Sequence, residues 1–255
     1  MYAEERQQAI ADLLSLRGRL SVSELATEYA VTTETVRRDL SALERAGIVR
    51  RVHGGAVPAE ALTVLEARVD DRDRARADEK ERIGRAALDL LPRSGGSVLL
   101  DAGTTTARLA GVLPRDLQLT VVTNAVPIAA RLAGMANIDL HLLPGRVRST
   151  TQAAVGESTV EALRLLRTDV AFLGTNGLSL GHGFSTPDAS EAAAKRAMVH
   201  SAHKVVVLVD SSKLGRENTV RFAEVGDVDV VVTDSGISEH DLKGLAEHDV
   251  EVVVA

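Results

Sequence analysis

The chain has 255 residues, and its hydrophobic fraction of 45% and charged fraction of 26% are typical of globular proteins. This length predicts one large domain and one small domain. The absence of cysteine excludes a disulfide framework, a cysteine-based zinc site and thiol catalysis. No apolar run reaches membrane-spanning length, and the charged start of the chain lacks the apolar segment of a signal peptide. We therefore expect a cytoplasmic protein with no membrane partner.

The N-terminal part of the chain contains three helical patterns. The first covers residues 2–16, where apolar side chains recur at helical spacing. The second follows Ser21, which forms a capping box with Glu24. The third follows Thr32 or Thr33, either of which can cap it. Two short helices joined by a tight turn are the helix-turn-helix pattern of DNA-binding proteins.

A short β-prone run and a glycine turn follow the third helix and predict an arginine-rich hairpin, or wing. Segment 37–57 contains five arginines and two acidic residues, whereas the whole chain is acidic, with 30 basic and 36 acidic side chains. Only this local excess offers the positive charge that a DNA backbone requires. The alternatives are a solvated helical hairpin used for protein contact and a plain three-helix subdomain. Under the DNA-binding interpretation, residues 1–57 form the domain, and the contact residues are Ser23, Thr32, Thr33, Thr35, Arg37, Arg38, Ser41, Arg50, Arg51, His53 and Gly54.

From residue 78 the pattern changes to short apolar runs that alternate with helices. These runs predict mostly parallel strands covered on both faces, and hence an open α/β domain over residues 78–255. Ligands of such domains bind beyond the carboxyl ends of the strands. Segment 58–77 is expected to be a linker, in which residues 61–65 form a strand or a helical turn. Its charge-dense part, 66–76, is expected to be a solvated helix; a role in spacing two DNA-binding domains is the alternative. The seven predicted strands are 98–100, 119–122, 138–143, 170–173, 205–209, 228–232 and 250–254.

Polar residues follow five of these strands. Gly103 and the three threonines after it lie at a strand-to-helix turn, where free backbone N–H groups and hydroxyls make a phosphate site; an ordinary helix cap is the alternative. Arg146 or Arg148 can clamp a phosphate bidentately, and asparagine and aspartate side chains suit sugar hydroxyls. The residues expected to bind the ligand are Asp101, Gly103, Thr104, Thr105, Thr106, Thr123, Asn124, Arg146, Arg148, Thr175, Asn176, Gly177, Glu191, Lys195, Asp210 and Lys213.

Glu191 and Lys195 have two interpretations. Asp188 is expected to cap their helix, and the two residues are four apart on one helix face. They form a surface ion pair worth about 0.3–0.5 kcal/mol, or one or both of them contact the ligand.

The motifs resemble those of DeoR-type bacterial transcriptional repressors. TVRRDL at 35–40 and RVHGGA at 51–56 resemble their DNA-binding domain, and DAGTTT at 101, TN at 123, GTNGLS at 174, TPDASEAAAKRAM at 186 and DSSK at 210 resemble their effector domain. The resemblance covers nearly the whole chain. It implies a ribose-5-phosphate-isomerase-like effector domain and a phosphorylated sugar as inducer. Fructose 1-phosphate is the first expectation, by resemblance to fructose-operon repressors. Because helix-turn-helix proteins pair half-sites on operator DNA, we also expect a homodimer or homotetramer. At Pro144–Gly145 the chain departs from the Gly-Gly pair of the family pattern, which puts the local backbone contact to the ligand in question.

A sugar-phosphate isomerase with an accessory helix-turn-helix domain is the competing function. Isomerisation needs a general acid and a general base, and the related isomerases place acidic residues in the loop that corresponds to 174–178. Here that loop is GTNGL and has no titratable group. Asp101 and Asp210 are explained as orienting or hydroxyl-binding carboxylates. We therefore expect a regulator without cofactor or metal, whose repressing or activating effect the sequence leaves open.

Overall fold

The computed structural model describes residues 3–17, 20–52, 54–58 and 69–255. His53 and residues 59–68 of the predicted linker lie outside this described part. The chain divides into two compact units. The first comprises Met1–Leu65 and Gly215–Glu217, and the second comprises Glu66–Leu214 and Asn218–Ala255.

The first unit combines three helices with a small antiparallel sheet. Its elements are α1 (Ala3–Arg17), β1 (Leu20–Ser21), α2 (Val22–Glu28), α3 (Thr33–Arg45), β2 (Val49–Val52) and β3 (Gly55–Pro58), and the strand order is β1-β3-β2. The predicted capping box of Ser21 and Glu24 is confirmed, and Thr32 caps α3 by accepting a hydrogen bond from the Thr35 N–H. This arrangement is the winged helix-turn-helix fold that the sequence predicts.

An apolar core and one buried ion pair hold the first unit together. Ile10, Leu14, Leu25 and Leu40 are fully buried in the core between the helices and the sheet. Beside this core, Arg6 Nε of α1 donates to Asp39 Oδ2 of α3 over 2.6 Å, and Gln7 donates to the same carboxylate over 3.1 Å. The pair fixes the helix that precedes the motif against its second helix.

The second unit is built on a sheet of seven parallel strands. Its strands in chain order are β4 (Gly96–Leu100), β5 (Leu119–Thr123), β6 (Ile138–Leu142), β7 (Arg146–Val147), β8 (Ala154–Val155), β9 (Thr168–Gly174), β10 (Gly177–Ser179), β11 (Gly183–Thr186), β12 (Ala202–Leu208), β13 (Val220–Ala223), β14 (Val230–Thr233) and β15 (Glu251–Val254). The large sheet has the order β15-β14-β12-β9-β4-β5-β6, with every neighbouring pair parallel. All seven predicted strands are therefore confirmed.

Helices cover both faces of this sheet, and its inner strands are mostly apolar and buried, whereas the edge strands β6 and β15 contain exposed residues. The helices are α4 (Val69–Arg74), α5 (Ala77–Ala86), α6 (Thr104–Gly111), α7 (Val126–Leu132), α8 (Glu157–Arg164), α9 (Ala189–His200) and α10 (Glu239–Ala246). Leu100 and Phe172 belong to the core on one face, and Leu99 and Leu173 to the core on the other.

The sequence did not predict the short strands β7, β8, β10, β11 and β13. They form two small antiparallel sheets, β7-β8 and β10-β11-β13. Residues 69–77, expected in the linker, instead form α4 and the start of α5 and belong to the second unit. Among the contacts of α4, Asp73 accepts a hydrogen bond from Arg108 of α6 over 2.9 Å.

Candidate functional site

The second motif helix, α3, presents basic side chains to solvent. The side chains of Arg37 and Arg38 are 53% and 81% exposed, and each is within 4 Å of Glu34. Thr33 is exposed and Thr35 is partly exposed, whereas Val36 and Leu40 are buried. The helix therefore has an apolar inner face and a polar, basic outer face. That division is what a helix needs if it is to enter a DNA groove while packed on its own domain.

Arg51 of the wing makes two hydrogen bonds to side chains of α3. Arg51 Nη1 donates to Ser41 Oγ over 3.1 Å, and the Arg51 N–H donates to Glu44 Oε1 over 2.9 Å. Gly54 lies in the wing turn at φ +78°, where glycine is favoured. Ser23 is exposed on α2. The Arg50 side chain and His53 lie outside the described part of the chain, so the expected contacts of these two residues stay predictions.

In the second unit, a cleft opens at the carboxyl ends of β4, β9 and β12. The strand order reverses between β4 and β9, and ligands of open α/β sheets bind at such a switch point. The cleft is lined by Arg72, Ala75, Arg76, Lys80, Ala102, Gly103, Thr104, Thr105, Gly174, Thr175, Asn176, Glu191, Lys195, Leu208, Val209, Asp210, Ser212 and Lys213.

A buried ring of hydrogen bonds closes the floor of this cleft. The Lys195 ammonium bonds to Asp101 Oδ2 and donates to the Gly174 carbonyl over 2.8 Å, and the Gly174 N–H donates back to Asp101 Oδ2 over 3.0 Å. Lys195 also lies 5.4 Å from the centroid of the Phe222 ring. Burial raises the pKa of the Asp101 carboxyl, and the Lys195 charge acts against that rise. The ring fixes the ends of β4 and β9 relative to α9.

The Gly-Thr turn brings two threonines to the cleft. Gly103 precedes α6 as its N-cap without a side-chain cap, so the first N–H groups of α6 have no side-chain partner there. Thr104 and Thr105 line the cleft, and their hydroxyls bond to no other residue in the described part of the chain. Thr106 differs, because its hydroxyl donates to the carbonyls of Asp101 and Gly103 over 2.8 and 2.9 Å. Two of the three threonines are therefore available to a ligand.

Two predicted contact residues brace the loops behind the cleft instead of lining it. The Thr123 hydroxyl, which is fully buried, donates to the Leu100 carbonyl over 2.6 Å. Asn124 accepts from the Ala102 N–H over 3.0 Å and donates to the Ala154 carbonyl over 3.1 Å. Both side chains thereby shape the turn that follows β4.

Arg148 and Glu191 form an ion pair at one side of the cleft. Arg148 Nη1 bonds to Glu191 Oε1 over 2.6 Å, and its Nη2 lies 3.3 Å from Asp188, the N-cap of α9. The Thr151 hydroxyl also donates to Glu191. Glu191 and Lys195 are 6% and 4% exposed, so the interpretation of these two as a surface ion pair is wrong. Two other expected ligand residues, Arg146 and Gly177, are not among the lining residues.

Three basic residues of the cleft were missed by the sequence analysis. Arg72, Arg76 and Lys80 reach it from α4, α5 and the turn between them. Lys80 is 4% exposed and donates to the Ala75 carbonyl over 2.6 Å and to the Arg72 carbonyl. Burial lowers the pKa of its ammonium. A signal existed in the sequence, because Lys80 precedes Ile83 by three residues and therefore lies on the apolar face of α5.

The charge of the cleft is positive. Its lining includes five basic residues against two acidic ones, Glu191 and Asp210. Asp210 accepts from the Ser212 N–H over 3.2 Å, and Thr175 donates to the Gly177 carbonyl over 2.7 Å. Hydroxyls, an asparagine and surplus positive charge in one cleft are the donor set for an anionic polyol.

Within the described residues, no three histidine or carboxylate side chains lie where they would hold a metal ion together. Within the same ranges, no helix combines the length and hydropathy needed to cross a membrane.

Two family models match this chain. The DeoR-like helix-turn-helix domain matches residues 6–61, and the DeoR C terminal sensor domain matches residues 75–235. The second match alone spans more than half of the chain.

Full-length relatives agree with these matches. The chain is 35% identical to the uncharacterized HTH-type transcriptional regulator FruR of Bacillus subtilis, over 92% of each chain. It is 30% identical to the glycerol-3-phosphate regulon repressor of Escherichia coli, over 99% of each chain. Among solved structures, ribose 5-phosphate isomerase A from Methanocaldococcus jannaschii aligns with 18% identity and a TM-score of 0.40 over 55% of each chain.

Proposed function

Because this chain belongs to the DeoR family of transcriptional regulators, we propose that it represses a carbohydrate operon until a phosphorylated sugar releases it from operator DNA. The family match identifies a regulator and not an enzyme, and the loop 174–178 accordingly has no titratable side chain. The operator lies in the cytoplasm with the chromosome, and the repressor acts there.

The composition of the cleft is the observation that carries this proposal. A phosphate monoester has a charge of about −1.5 to −2 at pH 7 and three acceptor oxygens. The cleft offers an excess of three basic side chains, together with the uncapped N-terminus of α6 and the hydroxyls of Thr104 and Thr105. We place the phosphate at this turn, where N–H donors and the helix dipole favour an anion. Lys213 lies on the same cleft and adds a cation.

The remaining lining residues suit the sugar. Asn176 and Asp210 are assigned to its hydroxyl groups, because an amide and a carboxylate provide both donors and acceptors. Asp101 and Lys195 then act as positioning residues that hold the two central strand ends. Arg148 acts through Glu191, which it holds at the edge of the cleft.

We propose that α3 enters the major groove of a repeated or palindromic operator. Arg37 and Arg38, which are exposed, reach base edges or phosphates, and Thr33 and Thr35 lie at the N-terminal end, which contacts bases in helix-turn-helix complexes. Arg51 brings the wing to the backbone. Pairing of half-sites requires a homodimer or homotetramer, since one motif buries too little surface for high specific affinity.

Fructose 1-phosphate is the first candidate effector. Two relatives have names that point to different compounds, because one is named FruR and the other is a glycerol-3-phosphate regulon repressor. Glycerol 3-phosphate, tagatose phosphates and deoxyribose phosphates are further candidates and are screened beside it.

The test is a thermal-shift screen that compares each phosphorylated sugar with the matching free sugar. A ligand at 100 times its dissociation constant stabilises the folded chain by about 2.7 kcal/mol, so one phosphosugar should raise the melting temperature and its free sugar should not. Lys213→Gln should weaken this rise, whereas Lys243→Gln, an exposed lysine outside the cleft, should not. The same compound should weaken operator binding in a gel shift by about 5–150-fold. If no phosphosugar stabilises the chain, the proposed effector class is wrong.

A further inference from the structure

A second groove lies in the second unit, between α4, α6, α7 and the loop at residues 148–153. Its volume is about 410 Å³, within the range of small-molecule sites. It shares only Gly103 and Thr104 with the effector cleft, and none of the basic residues of that cleft lines it. The effector proposed above therefore does not account for this groove.

Three arginines from three different helices line this groove. Arg74, Arg108 and Arg131 stand against a single carboxylate, Asp73, which gives a net charge of +2. Arg74 and Arg131 are exposed, and neither bonds to another residue in the part of the chain that the structure describes. Arg108 bonds to Asp73 over 2.9 Å, but its Nε is buried and has no hydrogen-bond partner among those residues. The groove is therefore lined by guanidinium groups with N–H donors that have no partner among the described residues.

Apolar side chains line the groove beside these arginines. They are Val69, Ala107, Pro127 and Ile128, which lie on the same three helices. A groove that combines cations with apolar carbons fits a ligand that has an anionic group and a carbon body.

The backbone beside the groove is strained. Gln152 has φ +56°, a left-handed conformation that is uncommon for a residue other than glycine. The strain is held in place, because the Gln152 N–H donates to the Arg148 carbonyl over 2.8 Å and its carbonyl accepts from the Val126 N–H over 3.1 Å. Strained residues of this kind concentrate at ligand sites. This observation is independent of the charge count.

We propose that this groove is a second anion site, which binds a small organic dianion with a short carbon body. Guanidinium groups bind phosphate and carboxylate oxygens in bidentate fashion, so a phosphorylated acid and a dicarboxylate share the required chemistry. The groove is larger than inorganic phosphate needs, and its apolar lining residues suit the carbon body of the ligand.

The test is calorimetric titration of the full chain with 3-phosphoglycerate, succinate and inorganic phosphate. At least one of the two organic anions should bind more tightly than inorganic phosphate, and its binding should persist in Lys213→Gln, which alters only the effector cleft. The double variant Arg74→Gln with Arg131→Gln should weaken that binding at least tenfold, because two charge-assisted contacts are lost. Arg115→Gln, an exposed arginine that lines neither site, should bind as the parent does.

Three outcomes would overturn the proposal. The first is that none of the three probes binds at millimolar concentration. The second is that the double variant binds as tightly as the parent chain. The third is that the double variant changes the sedimentation coefficient without changing anion binding, since the groove would then be covered by a second copy of this chain. A failure here leaves the effector proposal untouched, because that proposal depends on variants of the other cleft.

Discussion

Replacement of Lys195 by methionine should destabilise the second unit strongly. Asp101 and Lys195 are 2% and 4% exposed, so the pair has almost no water around it. In Lys195→Met the Asp101 carboxylate keeps the hydrogen bond from the Gly174 N–H but loses its only cationic partner among the described residues. An uncompensated buried charge of this kind costs about 3–5 kcal/mol.

The same geometry predicts a large coupling between the two side chains. Asp101→Asn leaves an amide that still accepts from Gly174 but no longer neutralises the ammonium. The double variant Asp101→Asn with Lys195→Met contains no buried charge at this place. Its loss of stability should be smaller than the sum of the two single losses by at least about 1.5 kcal/mol.

Urea unfolding measures both effects, and the chain provides a way to separate its units. It has no tryptophan, and its two tyrosines, Tyr2 and Tyr29, both belong to the first unit. Tyrosine fluorescence therefore follows the first unit, whereas far-UV circular dichroism follows both. Lys195→Met should lower the midpoint of the dichroism transition and leave the tyrosine transition in place.

Lys243→Met is the matched control, because Lys243 is exposed and its replacement should change stability by less than about 0.5 kcal/mol. A loss below about 1 kcal/mol in Lys195→Met would refute the reasoning, since an exposed ion pair has that value.

Three further predictions concern the packing, the acid stability and the DNA-binding surface. Gly84→Val should destabilise the chain by about 1–3 kcal/mol in urea unfolding, because a Cβ there lies 2.9 Å from the backbone of α6; Gly134→Ala, which meets nothing within 4 Å, should not. Hydrogen bonds from Ser211 and Gly236 outweigh burial and hold the pKa of Asp234 below its ordinary value of 3.8. The ionised Asp234 carboxylate therefore stabilises the folded chain above pH 3.8, and this stabilisation is lost as the pH falls through the lowered pKa. Asp234→Asn should make the free energy of unfolding depend less on pH at the acid end, and an unchanged pH profile would contradict this. Arg37→Ala should weaken operator binding by about 1–3 kcal/mol if it contacts a base, and Arg38→Ala by less if it contacts a phosphate; a gel shift in which the double variant binds normally would rule out α3 as the DNA-contacting helix.

The elements of the fold were predictable from the sequence because their signals are local. Ser21 and Thr32 begin helices by accepting hydrogen bonds from N–H groups three residues away. The inner strands of the large sheet are short apolar runs because they are largely buried on both faces. The arginine excess of segment 37–57 is likewise a property of neighbouring residues, and it indicated the DNA-binding interpretation without a structure.

The short strands, and the packing of α4 on the second unit, were not predictable in this way. Segment 69–77 is densely charged and has the composition of a linker, yet α4 packs on the second unit through the bond between Asp73 and Arg108. These residues are 35 positions apart, and no pattern within a window of one helix contains that information.

The sequence by itself determined that polar residues follow the strands and that they belong to one edge of a parallel sheet. Tertiary structure alone decided which of them reach the cleft. Thr104 and Thr105 face it, whereas Thr123 and Asn124 turn their polar atoms to backbone groups behind it. Lys195 has its partner at Asp101, 94 residues away in the chain. A side chain's partner is set by which elements pack together, and that depends on contacts distant in sequence, whereas periodicity and capping depend on the next few residues.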